Sequence, residues 1–227
     1  GREHLAEVAV AARQWALLNP AAFRHGAGPL TVDAVLESPL ISSPLSAADC
    51  CLVTDGGGAI VLTTAERARD LPGAPIHILG YGESTSHTSM ATPEDLVTTG
   101  AQVSGAIALH KAGLAPAEID VVQIYDSFTI TVLLSLEALG FCARGEAWQF
   151  VQNGRIAPGG DFALNTSGGG LSYCHPGQFG VLLLVEAVRQ LRGECAERQV
   201  SGARTALAHG TGGILSTSAT VVLGVDR

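Results

Sequence analysis

Residues 165–180 read Asn-Thr-Ser-Gly-Gly-Gly-Leu-Ser-Tyr-Cys-His-Pro-Gly-Gln-Phe-Gly, and the rest of the chain is organised around them. An apolar segment of helical length, 181–191, follows directly. Glycine lets a backbone pass close to a ligand, and proline suits the first turn of a helix, so Pro176 predicts a helix N-terminus at His175. Backbone N–H groups and the positive end of the helix dipole gather at such a terminus. The stretch therefore predicts an active-site loop for a substrate that develops negative charge.

The composition limits the classes of protein to which this chain of 227 residues can belong. A hydrophobic content of 47% with 28 glycines and 15% charged residues is typical of a compact α/β enzyme. The formal net charge of −8, without a Lys/Arg cluster, argues against nucleic-acid binding. No apolar run reaches membrane-spanning length, so no membrane association is predicted. The cysteines lack metal-type spacing, so we expect reduced thiols in a cytoplasmic protein and no metal site.

The N-terminal part of the chain predicts a mixture of helices and strands. It opens on Gly-Arg-Glu-His, directly in a helical pattern, so we expect the true N-terminal region to lie outside this chain. The predicted helices are 3–18, 32–37 and 65–71. On either side of a glycine turn, 50–54 is predicted to be a strand or a buried run and 59–63 a strand. Two prolines and a glycine within 72–75 mark a domain boundary, which divides the chain into 1–73 and 74–227.

The C-terminal part alternates strands with helices, a pattern that predicts an α/β layered fold. The predicted strands are 76–81, 119–124, 204–209 and 216–223. The predicted helices are 92–111, 129–139, 145–153 and 181–191. The strand 119–124 delivers Tyr125 at its carboxyl end, which is where ligands bind in open α/β sheets.

Three segments are predicted to converge on one site. They are Tyr125-Asp126-Ser127-Phe128, Tyr173-Cys174-His175-Pro176 and His209-Gly210-Thr211-Gly212-Gly213. A single histidine at a strand end, or a single tyrosine after a buried strand, is more often structural than catalytic. The three segments together, with their glycines, favour a functional site.

The order and wording of these segments resemble the thiolase superfamily over nearly the whole chain. Thiolases carry Asn-Glu-Ala-Phe or His-Asp-Cys-Phe after a core strand, then Asn-x-x-Gly-Gly…Gly-His-Pro, and finally Cys-x-Gly or His-Asn-x-Gly-x-Gly-Gly. The matching segments here begin at Tyr125, Asn165 and His209, and Asp55-Gly-Gly-Gly-Ala resembles the end of the family's N-terminal half. The resemblance implies an α/β, thiolase-like layered α-β-α fold. Residues 1–73 would be the remainder of the N-terminal domain with a loop region, and 74–227 the C-terminal domain.

Departures from the thiolase pattern change the expected chemistry. The family's nucleophilic cysteine belongs to an N-terminal segment that this chain does not contain. The oxyanion-hole Asn or His has become Tyr125, the acid/base cysteine has become Ser127, and the terminal cysteine has become His209. Only His175 keeps its identity. Claisen cleavage needs a thiolate nucleophile and a base, so a different reaction is expected.

Retro-aldol cleavage of a β-hydroxyacyl-CoA needs no covalent intermediate, because a base removes the β-hydroxyl proton and donors hold the resulting enolate. The pattern resembles the lipid-transfer-type thiolase-fold aldolases of bacterial steroid side-chain degradation. The resemblance implies that a 17-hydroxy steroid acyl-CoA yields a 17-keto steroid and propionyl-CoA. The catalytic residues so implied are Tyr125, Tyr173, His175 and His209. The substrate-binding residues so implied are Asn165, Ser167, Gly168, Gly169, Gly212 and Gly213.

Within this hypothesis the two tyrosines transfer protons, in an order that the sequence leaves open. His175 donates to the thioester oxygen, and His209 orients or shares that task. Asp126 is expected to be a structural hydrogen-bond acceptor. The resemblance also implies a homodimer and a small partner protein with an OB fold and a zinc ribbon. No cofactor is expected beyond the CoA of the substrate.

Two other functions fit the same residues. One is a sterol-carrier-type thiolase or acyltransferase whose nucleophilic cysteine lies upstream of this chain. The other is a non-catalytic thiolase-like subunit that binds CoA esters or scaffolds a partner.

Overall fold

The computed structural model describes residues 1–89, 91–93 and 95–225. Its α-helices are α1 (Arg2–Leu17), α2 (Val32–Glu37), α3 (Ala65–Ala68), α4 (Ala101–Ala112), α5 (Thr129–Ala138), α6 (Ala147–Phe150) and α7 (Gly180–Leu191). Its strands are β1 (Leu40–Ser42), β2 (Leu45–Ser46), β3 (His77–Thr85), β4 (Val121–Ile124), β5 (Ala163–Leu164), β6 (Thr205–Gly212) and β7 (Thr217–Gly224).

A mixed sheet in the order β3-β7-β6-β4-β5 forms the centre of the described residues. Strand β4 runs parallel to both β5 and β6. Strands β6 and β7 form an antiparallel hairpin, and β3 pairs antiparallel with β7 at the sheet edge. Because parallel strands end on the same side, the segments that follow β4 and β5 leave the sheet at one edge.

Helices cover both faces of this sheet. On one face Leu207 and Val222 pack in a large apolar cluster with residues of α1, α4 and α5. On the other face Ala206 and Leu223 pack against Leu191 of α7. Neighbouring residues of a strand thus point alternately to the two helical layers, as expected for a strand that is buried on both faces. The α/β layered architecture predicted from the sequence is therefore confirmed.

The strand predicted at 59–63 is wrong, and 50–54 is neither a strand nor a buried run, because neither segment pairs with a described strand and 50–54 is mostly accessible. The only β-type contact there is an isolated bridge between Cys50 and Phe128. Val53 and Val61 are fully or largely exposed at 100% and 89%. An extended segment becomes a strand only where a neighbour accepts its backbone hydrogen bonds, and local β propensity cannot supply that neighbour.

Several predicted helix bounds also needed correction. The helix predicted at 92–111 begins at Ala101, because the Asp95 carboxylate accepts bonds from the Val97 N–H and the Thr98 hydroxyl and so forms a turn. Its predicted end is confirmed, since Gly113 follows in the left-handed conformation at φ 66°. Glu94, part of the predicted helix start, lies outside the described residues. The helices predicted at 65–71 and 145–153 shrink to α3 and α6.

The final hairpin differs from the prediction in its turn. The sequence predicts a turn at 210–213, but β6 continues to Gly212, and the chain reverses over the next four residues. The continued pairing of Thr211 with Ser218 and Gly212 with Thr217 explains the extension. The domain boundary at 72–75 stays a prediction. Leu5 of α1 nevertheless shares one apolar cluster with Leu136 of α5.

We predict that Gly80→Ala destabilises the fold by about 1–3 kcal/mol, the usual cost of overpacking. Gly80 of β3 lies directly under α4, and a Cβ there would overlap the Ala108 carbonyl oxygen. Urea unfolding monitored by circular dichroism measures the change in free energy. Gly26→Ala is the matched control, because a Cβ at Gly26 meets nothing within 4 Å. Equal stability of the two variants would contradict the close packing of β3 on α4.

Candidate active site

Asn165 fastens the glycine-rich loop to the end of β4. Its side-chain oxygen accepts from the Ile124 N–H at 2.7 Å, and its side-chain amide donates to the Ile124 carbonyl at 2.8 Å. The amide thus imitates one more strand pairing beyond β5. Its φ of 49° turns the chain away from the sheet at that point. The loop that starts here is held beside Tyr125, the residue that follows Ile124.

The next residues form a buried π-helical turn, Gly169–Tyr173, where helical prediction from sequence offers no signal. Gly168 stands at φ 101°, and a Cβ there would press on Ala16 of α1. The Ser167 hydroxyl accepts from the Gly169 N–H at 3.2 Å. Asn165, Ser167, Gly168 and Gly169 are all buried, so the structure shows them building the loop, while their predicted substrate contacts stay a prediction.

The Asp126 carboxylate holds the π-helical turn in place through hydrogen bonds. It is fully buried and accepts from the Gly170 N–H at 2.6 Å and the Leu171 N–H at 3.2 Å. Burial raises the pKa of Asp126 to about 7, while the backbone bonds act in the opposite direction. The geometry agrees with the expected role of a structural acceptor.

Tyr125 and His175 form the central pair of the site. The Tyr125 hydroxyl lies 2.7 Å from His175 Nε2, and the rings stack with centroids 5.4 Å apart at 9°. Phe179 flanks both rings, at 5.6 and 5.9 Å. Burial is the first cause of both pKa shifts: it raises the pKa of Tyr125 and lowers that of His175. The pair is therefore held as a neutral phenol and a neutral imidazole at pH 7.

His175 does not lie at the mouth of the next helix, so that prediction is wrong. Helix α7 begins at Gly180, and Pro176 lies outside its first turn. The intervening Pro176 to Gln178 form a bend that brings Phe179 against the Tyr125–His175 pair. The histidine is consequently placed by ring stacking and by side-chain hydrogen bonding.

Tyr173 packs in the same apolar cluster as Tyr125 and Phe179. Burial raises the pKa of Tyr173, and the nearby Cys174 and Glu186 add to that shift, while Arg198 opposes it. Glu186 and Arg198 form a buried ion pair at 3.0 Å, which lies towards α7. Among the described residues, the Tyr173 hydroxyl has no hydrogen-bond partner, in contrast to that of Tyr125.

His209 faces the other side of the sheet. Its Nδ1 lies 2.8 Å from the Thr220 hydroxyl on β7, which in turn contacts Ser104 of α4 at 2.9 Å. The preceding Ala208 packs towards α7, as strand alternation requires. Burial lowers the pKa of His209 to about 4, so the ring is neutral at pH 7. The backbone still meets the site, because the His209 carbonyl accepts from the Tyr125 N–H at 2.9 Å.

Gly212 is the last residue of β6 and Gly213 begins the turn to β7, and both are exposed. Gly213 needs its φ of 63° to make that turn. The structure thus brings Tyr125, Tyr173 and His175 into one cluster. It leaves the His209 side chain and the two glycines outside that cluster.

A cavity of about 490 Å³ adjoins the loop. Its lining includes Arg13, Arg24, Cys51, Leu171 and Ser172. Burial lowers the pKa of Arg13, and the nearby charge of Arg24 adds to that shift. Two guanidinium groups near each other, without a carboxylate partner among the described residues, make an attractive environment for an anion.

Most thiols of the chain are poor candidates for a nucleophile. Burial raises the pKa of Cys50 and Cys51, that of Cys142 to about 11 and that of Cys195 to about 12. A raised pKa disfavours the thiolate, which is the nucleophilic form. Among the described residues, no cluster of metal-ligating side chains and no helix able to cross a membrane is present.

Sequence reasoning missed one cluster, the polar network under the loop. Thr166 donates to Glu186 at 2.8 Å and accepts from Gln123 and Gln190 at 3.0 Å each. The signal was available, since an acidic residue inside the apolar segment 181–191 requires a buried partner. That partner is Arg198, which lies seven residues after Leu191, the last residue of α7.

Comparison with known proteins agrees with this geometry. Residues 82–225 match a family described as "Thiolase C-terminal domain-like". The chain belongs to the thiolase superfamily. It is 37% identical, over 99% of this chain and 57% of the relative, to a steroid side-chain-cleaving aldolase of Thermomonospora curvata. It is 39% identical, over 82% of this chain and 49% of the relative, to a 17-hydroxy-3-oxo-4-pregnene-20-carboxyl-CoA lyase of Mycobacterium tuberculosis.

Among solved structures, an aldolase described as "Ltp2-ChsH2(DUF35) aldolase" matches with a TM-score of 0.92 and 34% identity. The match covers 100% of this chain and 59% of that one. An acetyl-CoA acetyltransferase of Methanothermobacter thermautotrophicus and a benzoylsuccinyl-CoA thiolase subunit of Thauera aromatica also match, each at 34% identity. The chain thus spans about half to three fifths of the length of these relatives.

We predict that His209→Gln makes the fold less sensitive to acid. A histidine whose folded pKa of about 4 lies below the unfolded value stabilises the fold above pH 6.5, and this contribution is lost as the pH falls towards 4. Between pH 7 and pH 5 the wild type should lose about 2 kcal/mol more than the variant. Urea unfolding at the two pH values measures both losses. Because Asp126 is present in both proteins, its titration cancels, and equal losses would contradict a buried neutral His209.

Proposed function

We propose that this protein catalyses the retro-aldol cleavage of a β-hydroxyacyl-CoA and is therefore a carbon–carbon lyase. The observation that carries the proposal is the 2.7 Å contact between the Tyr125 hydroxyl and His175 Nε2 in an apolar pocket. This pair can pass one proton between a phenol and an imidazole and can present a hydrogen bond to an oxyanion. Names of relatives that share 37% and 39% identity, an aldolase and a lyase, support the same reaction.

The proposed reaction uses the chain's own side chains. A base removes the proton of the substrate's β-hydroxyl, the Cα–Cβ bond breaks to give a ketone, and the electron pair becomes a thioester enolate. An acid then returns a proton to Cα. We assign the proton transfers to Tyr125 and Tyr173, and the hydrogen bond to the thioester oxygen to His175. The tyrosine that acts as base is a neutral phenol, so it must pass its own proton on as it takes the β-hydroxyl proton. Tyr125 can pass that proton to His175 Nε2, which lies 2.7 Å from its hydroxyl, and the proton returns after Cα is protonated. His209 contributes through its carbonyl, which holds the Tyr125 backbone.

Electrostatics favour this reaction over thiolysis. Retro-aldol cleavage needs no thiolate, and burial disfavours the thiolates of Cys50 and Cys51 near the site. A phenol with a raised pKa is a good proton donor only to a strong base, and the carbanion character of an enolate supplies such a base.

We propose a 17-hydroxy steroid side-chain CoA thioester as substrate, which would give a 17-keto steroid and propionyl-CoA. The two relatives named for steroid side-chain and pregnene-carboxyl-CoA cleavage support this class. The adjoining cavity offers apolar walls and the guanidinium groups of Arg13 and Arg24, which suit the phosphates of CoA. Asn165, Ser167, Gly168 and Gly169 shape the loop beneath, and Gly212 and Gly213 shape the final turn.

We propose that the protein acts as a homodimer with a small OB-fold and zinc-ribbon partner subunit. Support for a partner comes from the solved "Ltp2-ChsH2(DUF35) aldolase", whose name joins two components. We also propose that the enzyme needs no cofactor beyond the CoA of its substrate, and that it works in the cytoplasm.

Product analysis tests the reaction. The full-length protein, with and without its partner subunit, is incubated with a β-hydroxyacyl-CoA that carries a tertiary hydroxyl. We predict that mass spectrometry detects a ketone and a shortened acyl-CoA, and that a cysteine alkylator leaves turnover in place. Thiolytic turnover of a 3-ketoacyl-CoA that the alkylator abolishes would instead establish a thiolase.

Replacement of the tyrosines tests the roles. We predict that Tyr125→Phe and Tyr173→Phe each lower kcat by about 10²–10⁴-fold, the usual contribution of general acid–base catalysis. Tyr81→Phe is the matched control, because Tyr81 lies exposed on β3 and contacts Lys111. Full activity of both Tyr125→Phe and Tyr173→Phe would show that the tyrosines are structural and that the chemistry lies elsewhere.

A further inference from the structure

A short irregular segment, residues 52–56, crosses over the loop that carries His175; we call it the strap. It begins at buried Leu52, whose N–H donates to the Gly170 carbonyl at 2.9 Å. The strap belongs to no helix or strand of the described chain. Its conformation is therefore set by what it touches, and what it touches is the candidate site.

Thr54 makes the central contact of the strap. Its hydroxyl oxygen accepts from the His175 backbone N–H at 2.8 Å. The same hydroxyl is 3.5 Å from the Cys174 sulfur, to which it donates, and the Cys174 thiol donates to the Asp55 carbonyl at 3.4 Å. One hydroxyl thus satisfies the backbone donor of His175 and joins a chain of bonds that returns to the strap.

The backbone that Thr54 holds also sets where the His175 ring lies. Nε2 of that ring is 2.7 Å from the Tyr125 hydroxyl. The proposed proton transfer requires this hydroxyl to donate to Nε2, and a neutral imidazole that accepts at Nε2 carries its hydrogen on Nδ1. In that tautomer the Nδ1–H group is left to donate to the substrate.

The strap packs closely against the loop that carries His175. A Cβ on Gly56 would overlap the Cys174 sulfur. The strap therefore lies against Cys174 at one point and against His175 at another. A shift of either element would move the other.

We propose that Thr54 is a positioning residue, which fixes the backbone of His175 so that its ring meets Tyr125 in one tautomer and one orientation. This inference rests on the proposed function, in which the Tyr125–His175 pair does the chemistry. It adds a residue from a part of the chain that lies 121 positions before His175. The hydrogen bonds of Thr54 go to the Cys174 sulfur and the His175 backbone, not to either ring, and Thr54 is not assigned a catalytic role.

Thr54→Val and Thr54→Ser separate the hydroxyl from the methyl group. In the full-length protein, valine keeps the shape but removes the acceptor, so we expect kcat to fall about tenfold, with KM within about twofold of the wild type. Serine keeps the hydroxyl and should restore kcat to within about threefold. Thr63→Val is the control, because Thr63 lies exposed further along the same irregular segment and should behave as wild type. Equal losses in Thr54→Val and Thr54→Ser would overturn the proposal.

Nitrogen-15 NMR of the histidine rings supplies a readout that does not depend on turnover. The His175 signals are assigned as those missing from His175→Gln. We expect one tautomer, with hydrogen on Nδ1, in wild type and Thr54→Ser, and a mixture in Thr54→Val. An unchanged spectrum in Thr54→Val would overturn the positioning role even if the lyase reaction is established. If the wild type cleaves no β-hydroxyacyl-CoA, the proposed function fails, and the spectra still decide the role of Thr54.

Folding is checked first by circular dichroism. If Thr54→Val does not fold, Thr54→Ala, which removes the hydroxyl without adding a buried methyl group beside Cys174, replaces it in both measurements. A folded Thr54→Ala with the wild-type kcat and a single tautomer would overturn the proposal.

Discussion

The site depends on one junction, between the strand end that carries Tyr125 and the loop that carries His175. Buried polar side chains form this junction through hydrogen bonds to backbone groups. Asn165 takes both backbone groups of Ile124, and Asp126 takes two N–H groups of the π-helical turn. Each of these bonds lies in the interior, where an unpaired donor or acceptor costs about 1–3 kcal/mol. The two segments can therefore separate only at a large cost, and the 2.7 Å contact between their side chains is preorganised.

The same burial that secures the junction decides which protonation states the site holds. It raises the pKa of Tyr125 and lowers that of His175, so both groups are neutral before substrate binds. A neutral pair avoids the desolvation penalty of a buried charge, and it can move a proton in either direction when an alkoxide or an enolate forms nearby. Thiols in the same environment are disadvantaged, because their reactive form is charged. A buried, neutral site thus suits proton transfer better than thiolate attack.

Hydrophobic patterning predicted the layered α/β fold because its strands are buried on both faces and its helices on one. Motif order identified the loop, because close packing there requires glycines that are visible in the sequence. A Cβ at Gly168 would overlap Ala16, and a Cβ at Gly169 would overlap the Asp126 carboxylate. The strand predicted at 59–63 was wrong because local β propensity cannot supply a pairing neighbour. The helix start at Thr92 was wrong because the Asp95 side chain bonds to nearby groups and forms a turn instead. The sequence also could not show on which face of the sheet the His209 side chain lies. Because β6 continues to Gly212, His209 lies within the strand, and its side chain follows the alternation of that strand.

A scaffold built from backbone contacts leaves its reactive side chains free to change. Asn165 and Asp126 bond to main-chain atoms of other residues, and none of these bonds involves the Tyr125 or Tyr173 hydroxyl. Replacing an oxyanion-hole amide by a phenol at the end of β4 would then alter the chemistry without loosening the loop. The superfamily membership and the departures from its motifs are compatible for this physical reason. Under the proposed function, the fold would fix where an acyl thioester oxygen meets a hydrogen bond, and the two tyrosines would determine which bond of the acyl chain breaks.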